Sequence, residues 1–325
     1  MQHTRRSLAG LLAAGALVAL ALDAAPASAQ VKGLDIIAPA SPGGGWDQTA
    51  RAIQAALQDA GIASGVQVQN ISGAGGTIGL AQFVSSKKGK GNSVLVGGLV
   101  MEGAILTNKA PVTLDQVTPL ARLTGEYELI VVPADSPYAT MGDLVQKLKS
   151  DPGTVSWGGG STGGTDHILA GLIAKAAGVD PTKVNYIAHS GGGEALASIL
   201  GGHVTAGISG YEEFWPQVQA GKLKALAISA DERLPGSEVP TLKEGGVDVS
   251  LVNWRGVFAP PGLKDRDKKA LSEAMSKMVE SPAWKETLQK RGWLDMYQPA
   301  DEFASFLKED QEKISATLKD IGLVQ

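Results

Sequence analysis

Four times along the chain, a short apolar or alternating run ends in a glycine-rich turn that leads directly into a helical pattern. Alternating or apolar runs predict strands, and apolar residues three and four apart predict one face of a helix. The predicted strands are residues 34–37, 66–70, 155–157 and 184–187. The turns that follow them are residues 41–45, 73–76, 158–164 and 190–193. This order is typical of βα units, so the sequence predicts an α/β fold.

The composition excludes several classes of protein. The 325 residues carry a formal charge of −4 and show no basic cluster, so no nucleic-acid partner is expected. There is no Cys, which excludes disulfide scaffolds, zinc ribbons, thiol catalysis and iron–sulfur sites. The apolar share of 43% and the length allow two domains with ample core.

The first 29 residues have the pattern of a signal peptide. Arg5 and Arg6 precede an apolar run over residues 8–22, and Ala27-Ser28-Ala29 is a small-x-small cleavage signal. The apolar run is shorter than the roughly 20 residues that span a bilayer. We therefore predict export with cleavage after Ala29. The arginine pair also permits the twin-arginine route.

The four glycine-rich turns are candidate anion sites. The first N–H groups of a helix lack intrahelical acceptors and lie at the positive end of the helix dipole. The loop at residues 158–165 adds the hydroxyls of Ser161, Thr162 and Thr165, and none of the four turns contains Lys or Arg. We therefore expect a small carboxylate to be held by neutral donors, with no cationic side chain. The alternative is that the glycines only make tight turns.

Two enzymatic interpretations were weighed against this one. Residues 159–163 match the G-x-S-x-G pattern of a hydrolase, with Ser161 as the nucleophile. The downstream histidines, His189 and His203, are too close for the usual order of partners, so an exported serine hydrolase stays an alternative. Residues 73–79 resemble a dinucleotide loop, but Ile78 stands where the third glycine belongs.

The remaining titratable residues have plain interpretations. The histidines after the leader lack metal-ligand spacing, so neither a metal nor a cofactor is predicted. His167 and Asp47 follow their turns on the first helical turn, where bonding to the loop competes with ligand contact. Four acids are interpreted as structural or rim residues, because unpaired acids weaken the binding of an anion. They are Glu102, Glu194, Glu212 and Glu213.

Two predicted strands are candidates for crossings between lobes. Residues 128–132 and 250–254 would connect lobe 1, residues 30–132 plus 247–325, with lobe 2, residues 133–246. A pair of connecting strands predicts a hinge. Residues 264–325 carry spaced apolar positions among charges and predict helices packed on lobe 1.

Several stretches together carry a resemblance to a known family. They lie in the family's order at residues 39–47, 70–76, 160–167, 190–196, 200–204, 226–229, 239–242 and 253–262. With Arg51, these stretches resemble the substrate-binding proteins of tripartite tricarboxylate transporters, the Bug family. The matches cover nearly all of the chain after residue 29.

The resemblance implies a monomeric periplasmic binding protein of two α/β lobes, each a mixed sheet flanked by helices. Such a protein closes over a small carboxylate, delivers it to integral membrane permease subunits and catalyses nothing. The candidate ligand-binding residues are Ser41, Gly44, Gly45, Trp46, Asp47, Gly75, Gly98, Val100, Ser161, Gly163, Gly164, Thr165, His167, Ser209, Gly210 and Tyr211.

The ligand itself is less defined. Stretches 155–167 and 253–262 are close to citrate-type members, which favours a tricarboxylate over a C4 dicarboxylate. Residues 186–190 and 70–72 depart from the common family pattern, so the substrate end is expected to differ from most relatives. A sensory protein that passes its closed state to a signalling partner is a further alternative.

Overall fold

The structure is a computed structural model, and it describes residues 31–325. The strands are β1 (Val31–Lys32), β2 (Asp35–Ala38), β3 (Ala63–Ser64), β4 (Gln67–Asn70), β5 (Ser93–Gly98), β6 (Thr118–Pro133), β7 (Ser156–Gly159), β8 (Asn185–Ala188), β9 (Ala206–Gly210), β10 (Leu223–Ile228), β11 (Val252–Ala259) and β12 (Leu294–Pro299). The helices are α1 (Gly45–Asp59), α2 (Thr77–Ser86), α3 (Leu99–Thr107), α4 (Met141–Ser150), α5 (Thr165–Ala176), α6 (Gly192–Leu200), α7 (Tyr211–Gln219), α8 (Asp265–Glu280), α9 (Pro282–Arg291) and α10 (Ala300–Asp320). No helix within residues 31–325 has the length and apolar character needed to cross a membrane.

One ten-stranded mixed sheet organises the fold, in the order β4-β2-β5-β11-β6-β9-β7-β8. Strands β10 and β12 also pair with β6. The strands before all four glycine-rich turns run parallel to a neighbour, β2 with β4 and β7 with β8. Their carboxyl ends therefore lie on one edge of each half of the sheet.

The long strand β6 joins the two halves of the sheet. Its first part pairs antiparallel with β11 and β12, and the part from Glu128 onward pairs antiparallel with β9 and β10. The predicted crossing stretches, residues 128–132 and 250–254, fall on β6 and at the beginning of β11, and within residues 31–325 β11 pairs only with β5 and the first part of β6. The change of partners falls between Tyr127 and Glu128 on β6. The lobe boundaries at 132 and 247 stay a prediction.

The last part of β6 is apolar on both faces because both faces are covered. Ile130 and Val132 pack into one cluster with Trp157, whereas Leu129 and Val131 pack into another with Phe214. A strand buried on both sides requires a continuous apolar run rather than alternation. A third cluster covers the half of the sheet built from β2, β5 and β11.

The C-terminal helices pack onto that third cluster, as their apolar spacing predicts. Helix α8 buries Leu271 and Met275, and α10 buries Phe303 and Leu307. Strand β12 between α9 and α10 was not predicted. Most of its residues are half-buried or exposed, so the sequence there lacks a clear alternating pattern.

Candidate functional site

The structure brings the four glycine-rich loops together around one cavity of about 470 Å³. Its lining includes loop residues 39–40, 44–46, 72–76, 160–162, 164–166 and 188–192. Each loop lies where a strand ends and a helix or helical turn begins, which is where ligands bind in open α/β sheets. The lining also includes Val100 on α3, Asn108, Glu194 on α6, the end of β9 at Ser209 and Gly210, Glu213 on α7, and Asn253 and Arg255 on β11.

The loop before α1 is built as a tight turn that exposes the start of the helix. The carbonyl of Ser41 accepts a hydrogen bond from the Gly44 N–H at 3.1 Å. Gly43 has a positive φ of 85° and donates its N–H to Asp47 Oδ2 at 2.8 Å. Helix α1 then begins at Gly45, whose N–H has no acceptor within the helix.

The loop before α5 repeats this geometry with different residues. The carbonyl of Ser161 accepts from the Gly164 N–H at 2.9 Å, and Gly163 has a φ of 74°. Gly163 donates its N–H to His167 Nδ1 at 3.2 Å, in the place that Asp47 Oδ2 occupies in the first loop. Helix α5 begins at Thr165. Two similarly built helix starts therefore contribute to one cavity.

Asp47 and His167 support these loops from outside the cavity lining. Burial alone raises the pKa of Asp47, but hydrogen bonds from Arg51, the Gly43 N–H and Asn70 hold it below the usual value. Burial lowers the pKa of His167 to about 4, and its ring stacks on Tyr186 with centroids 4.0 Å apart. In the structure, both side chains therefore accept hydrogen bonds from the loops that precede their helices.

A buried arginine lines the cavity, and the expectation of a site without a cationic side chain is wrong. Arg255 on β11 is 4% exposed and donates from Nη2 to Glu126 Oε2 at 2.6 Å. The second guanidinium nitrogen lies 3.5 Å from the Thr49 hydroxyl. A Cβ at Gly45 would lie 2.5 Å from Arg255 Nη2, so the glycine lets the guanidinium approach the start of α1. Because Glu126 pairs with it, this cation is already neutralised.

Acidic groups crowd the same part of the cavity. Asp166 and Glu213 belong to the lining, and Glu126 and Glu128 are buried beside them. Burial raises the pKa of Glu213, with Glu126 adding to the effect, and raises the pKa of fully buried Glu128 well above its usual value. The described residues hold no group of acidic or histidine side chains arranged to bind a metal.

Comparison with known proteins gives this arrangement a family. The model of the family described as "Tripartite tricarboxylate transporter family receptor" matches residues 49–323. This chain belongs to that family. The predicted resemblance is thereby confirmed at the level of the family.

Three relatives indicate how far the likeness extends. The receptor is similar to the UPF0065 protein in the gbd 5' region of Cupriavidus necator, 29% identical over 321 residues and 96% of each chain. It is similar to MatC of Rhodopseudomonas palustris with bound malate, at 26% identity and a TM-score of 0.76, over 90% of this chain and 99% of that one. The periplasmic binding protein BugD shares the fold, with a TM-score of 0.81 at 21% identity over 90% and 98% of the two chains.

The predicted α/β periplasmic binding protein fold is confirmed by these structures. Membership of this receptor family implies an exported protein. The predicted signal peptide, residues 1–29, lies outside the residues that the structure describes.

The receptor's predicted binding residues fall into two groups. The structure places in the cavity lining Gly44, Gly45, Trp46, Gly75, Val100, Ser161, Gly164, Thr165, Ser209 and Gly210. It places outside the lining Ser41, Asp47, Gly98, Gly163, His167 and Tyr211. Residues of the second group contact other parts of the protein. Tyr211 stacks on Trp215, and Gly98 lies so close to the Trp254 carbonyl that a Cβ there would clash with it.

Sequence reasoning missed several lining residues. Arg255 and Asn253 lie in a stretch that carried the family resemblance, but no local pattern marked them as part of the site. Glu213 and Glu194 were interpreted as structural or rim residues, and both line the cavity. Glu102 is buried outside the lining, where burial raises its pKa to about 10.

Two histidines contact the backbone of the loop that contains Ser161. His189 Nδ1 lies 3.1 Å from the Gly159 carbonyl, and His167 Nδ1 accepts from Gly163. These contacts use Nδ1 of each ring, and within residues 31–325 no hydrogen bond joins either histidine to the Ser161 hydroxyl.

The titration of Asp166 yields a testable dependence of stability on pH. Burial raises its pKa from 3.8 to about 7, opposed by the Gly160 N–H and assisted by Glu213 and Glu126. Between these values the folded protein keeps a proton that the unfolded chain has released, so this group's contribution to stability falls as the pH rises. We expect Asp166→Asn to gain stability relative to the wild type from pH 4.5 to 7, measured by urea unfolding.

Asp143→Asn is the matched control for that measurement. Its exposed carboxylate has a lowered pKa because Thr140 and Ala139 donate hydrogen bonds to it. Because the pKa of Asp143 is lowered from the usual 3.8, its effect on stability changes with pH only in more acidic solution, so the difference from the wild type should stay constant from pH 4.5 to 7. A constant difference for Asp166→Asn as well would contradict the role given to its proton.

Proposed function

We propose that this receptor binds a small carboxylate in the cavity between the four loops and delivers it to the permease of a tripartite tricarboxylate transporter. The observation that carries the proposal is the pair of matching helix starts at Gly45 and Thr165, which both belong to the cavity lining. The free N–H groups and the positive ends of the helix dipoles stabilise an anion without a charged side chain. The relative MatC, whose structure contains malate, supports the same ligand class.

The charge of the lining bears on which carboxylate binds. The resemblance favours a tricarboxylate, but Asp166, Glu194 and Glu213 line the cavity. Arg255 is the only Lys or Arg in the lining that the structure describes, and Glu126 pairs with it. A trivalent anion faces more repulsion there than a divalent one. We therefore place a C4 dicarboxylate before citrate.

The proposed function includes a conformational step and no chemical reaction. The two halves of the sheet meet at β6 and β11, and the cavity takes residues from both halves. Bending at these strands would open the cavity to a ligand and close it again. The receptor acts as a monomer in this proposal and needs no cofactor.

A thermal-shift screen tests the proposal directly. Citrate, tricarballylate, malate, succinate, aspartate, glutamate and aromatic acids are compared, with succinamide as a control that keeps the carbon chain and removes both charges. A ligand at about 100 times its dissociation constant adds roughly 2.7 kcal/mol to the free energy of unfolding. Stabilisation by at least one carboxylate and not by succinamide is expected. An unchanged melting temperature with every acid would overturn the assignment.

A further inference from the structure

One wall of the cavity is rich in hydrogen-bond acceptors rather than donors. It is formed by the beginning of α7, the end of β9 and the beginning of β11. Glu213, Ser209 and Asn253 lie there. This wall is chemically different from the N–H groups at the starts of α1 and α5.

Glu213 is held so that one carboxylate oxygen stays free. The Ser209 hydroxyl donates a short hydrogen bond to Glu213 Oε2. Within residues 31–325, no hydrogen bond reaches Oε1, and this atom is not among the fully buried polar atoms. Gly192 makes room for the pair, because a Cβ there would clash with both Glu213 Oε2 and Ser209 Oγ. The cavity therefore contains a fixed acceptor.

Asn253 supplies a second, independent observation. Asn253 belongs to the cavity lining although it is only 8% exposed, and its buried Oδ1 has no hydrogen-bond partner within residues 31–325. It sits on β11 opposite Glu126 in the strand register, two residues before Arg255. A buried amide oxygen without a partner is costly, and a donor from a ligand would satisfy it.

The charges nearby decide which part of a ligand fits this wall. Glu126 neutralises Arg255, Asp166 with its pKa of about 7 keeps its proton below that pH, and Glu213 is a further acid in the lining. A second carboxylate placed against Glu213 would be repelled. A hydroxyl or an ammonium group would instead donate to it.

We propose that the ligand carries a hydroxyl or ammonium donor on its carbon chain, and that Glu213 and Asn253 accept hydrogen bonds from it while a carboxylate meets the helix starts. This inference rests on the proposed function and narrows it to hydroxy- and amino-carboxylates. Selectivity for the donor then lies in β11 and α7, and affinity for the carboxylate lies in the loops.

Ligand pairs that differ by one donor test the inference by isothermal titration calorimetry on the mature protein. The pairs are malate and succinate, aspartate and succinate, glutamate and glutarate, and citrate and tricarballylate. In whichever pair binds, we expect the member with the donor to bind about tenfold tighter or more. Equal affinity within every pair that binds would overturn the inference and leave the proposed function standing. Binding of no carboxylate at all would overturn the proposed function as well.

Variants distinguish the two kinds of donor. Glu213→Gln keeps an acceptor oxygen but loses the charge, so an ammonium advantage should shrink to about threefold or less whereas a hydroxyl advantage should survive. Asn253→Ala should reduce either advantage. Glu309→Gln removes one exposed acid from α10 and is the control for net charge. The circular dichroism spectrum and the melting temperature of each variant without ligand report that it is folded. An undiminished donor advantage in both Glu213→Gln and Asn253→Ala would remove this wall from the site.

Discussion

Thr165→Pro is expected to weaken carboxylate binding about 10- to 100-fold while the protein stays folded. Thr165 is the first residue of α5, where proline is tolerated because the N–H has no intrahelical acceptor. The preceding Gly164 has φ −76° and ψ 179°, a conformation that a following proline allows. The substitution removes one N–H from the cavity. A hydrogen bond to a charged group contributes about 1.5 to 3 kcal/mol, which sets the expected loss measured by calorimetry.

Thr165→Val is the matched control for the proline variant. It removes the hydroxyl and keeps both the N–H and the branched shape. Thr165 is fully buried and its Oγ1 has no hydrogen-bond partner in the part of the chain that the structure describes, so its loss should change stability by less than about 1 kcal/mol. Binding by the valine variant should match the wild type. Unchanged binding by the proline variant would show that this N–H does not meet the ligand.

Arg255→Leu is expected to destabilise the fold by about 3 to 5 kcal/mol. The substitution leaves Glu126, 2% exposed, without the cation that lies 2.6 Å from its carboxylate. Removing one partner of a buried ion pair strands the other charge in a medium of low polarity. Urea unfolding at pH 7 measures the loss. The effect is large because both partners are buried at the junction of the two halves of the sheet.

Two further variants separate this cause from simple loss of an arginine. Arg233→Leu removes a similar pair, Arg233 with Glu244, whose side chains are 43% and 45% exposed, and should cost less than about 1 kcal/mol. Combining Arg255→Leu with Glu126→Leu should recover much of the stability, because neither charge is then stranded. A double variant that is less stable to urea than Arg255→Leu would contradict this explanation, because removing the stranded carboxylate would then have given no stability back.

The helix starts could be anticipated because their causes are local. In each turn a serine carbonyl accepts from the N–H three residues later. A glycine with positive φ donates to a polar side chain four residues after it. All of these residues are close together in the chain. Ser41 to Asp47 and Ser161 to His167 therefore reveal the two turns in the sequence. The role of Asp47 and His167 in bonding these loops was one of the two alternatives that the sequence left open.

The charges of the site could not be anticipated in the same way. Glu126 and Arg255 are 129 residues apart and meet only because β6 and β11 are neighbours in the sheet. Glu213 looked like a rim residue on a helix start, and its place in the cavity depends on the packing of α7 against the glycine at 192. The sequence states which residues are charged, but it does not state which charges share one cavity.

The sequence alone therefore determined the βα units, the glycine turns and the family, since each depends on residues close together in the chain. The tertiary structure decided that the four turns share a cavity, that a buried arginine is neutralised within it, and that one wall accepts hydrogen bonds. The physical reason is that electrostatic interactions depend on distance in space. Strand pairing sets that distance between residues far apart in the sequence.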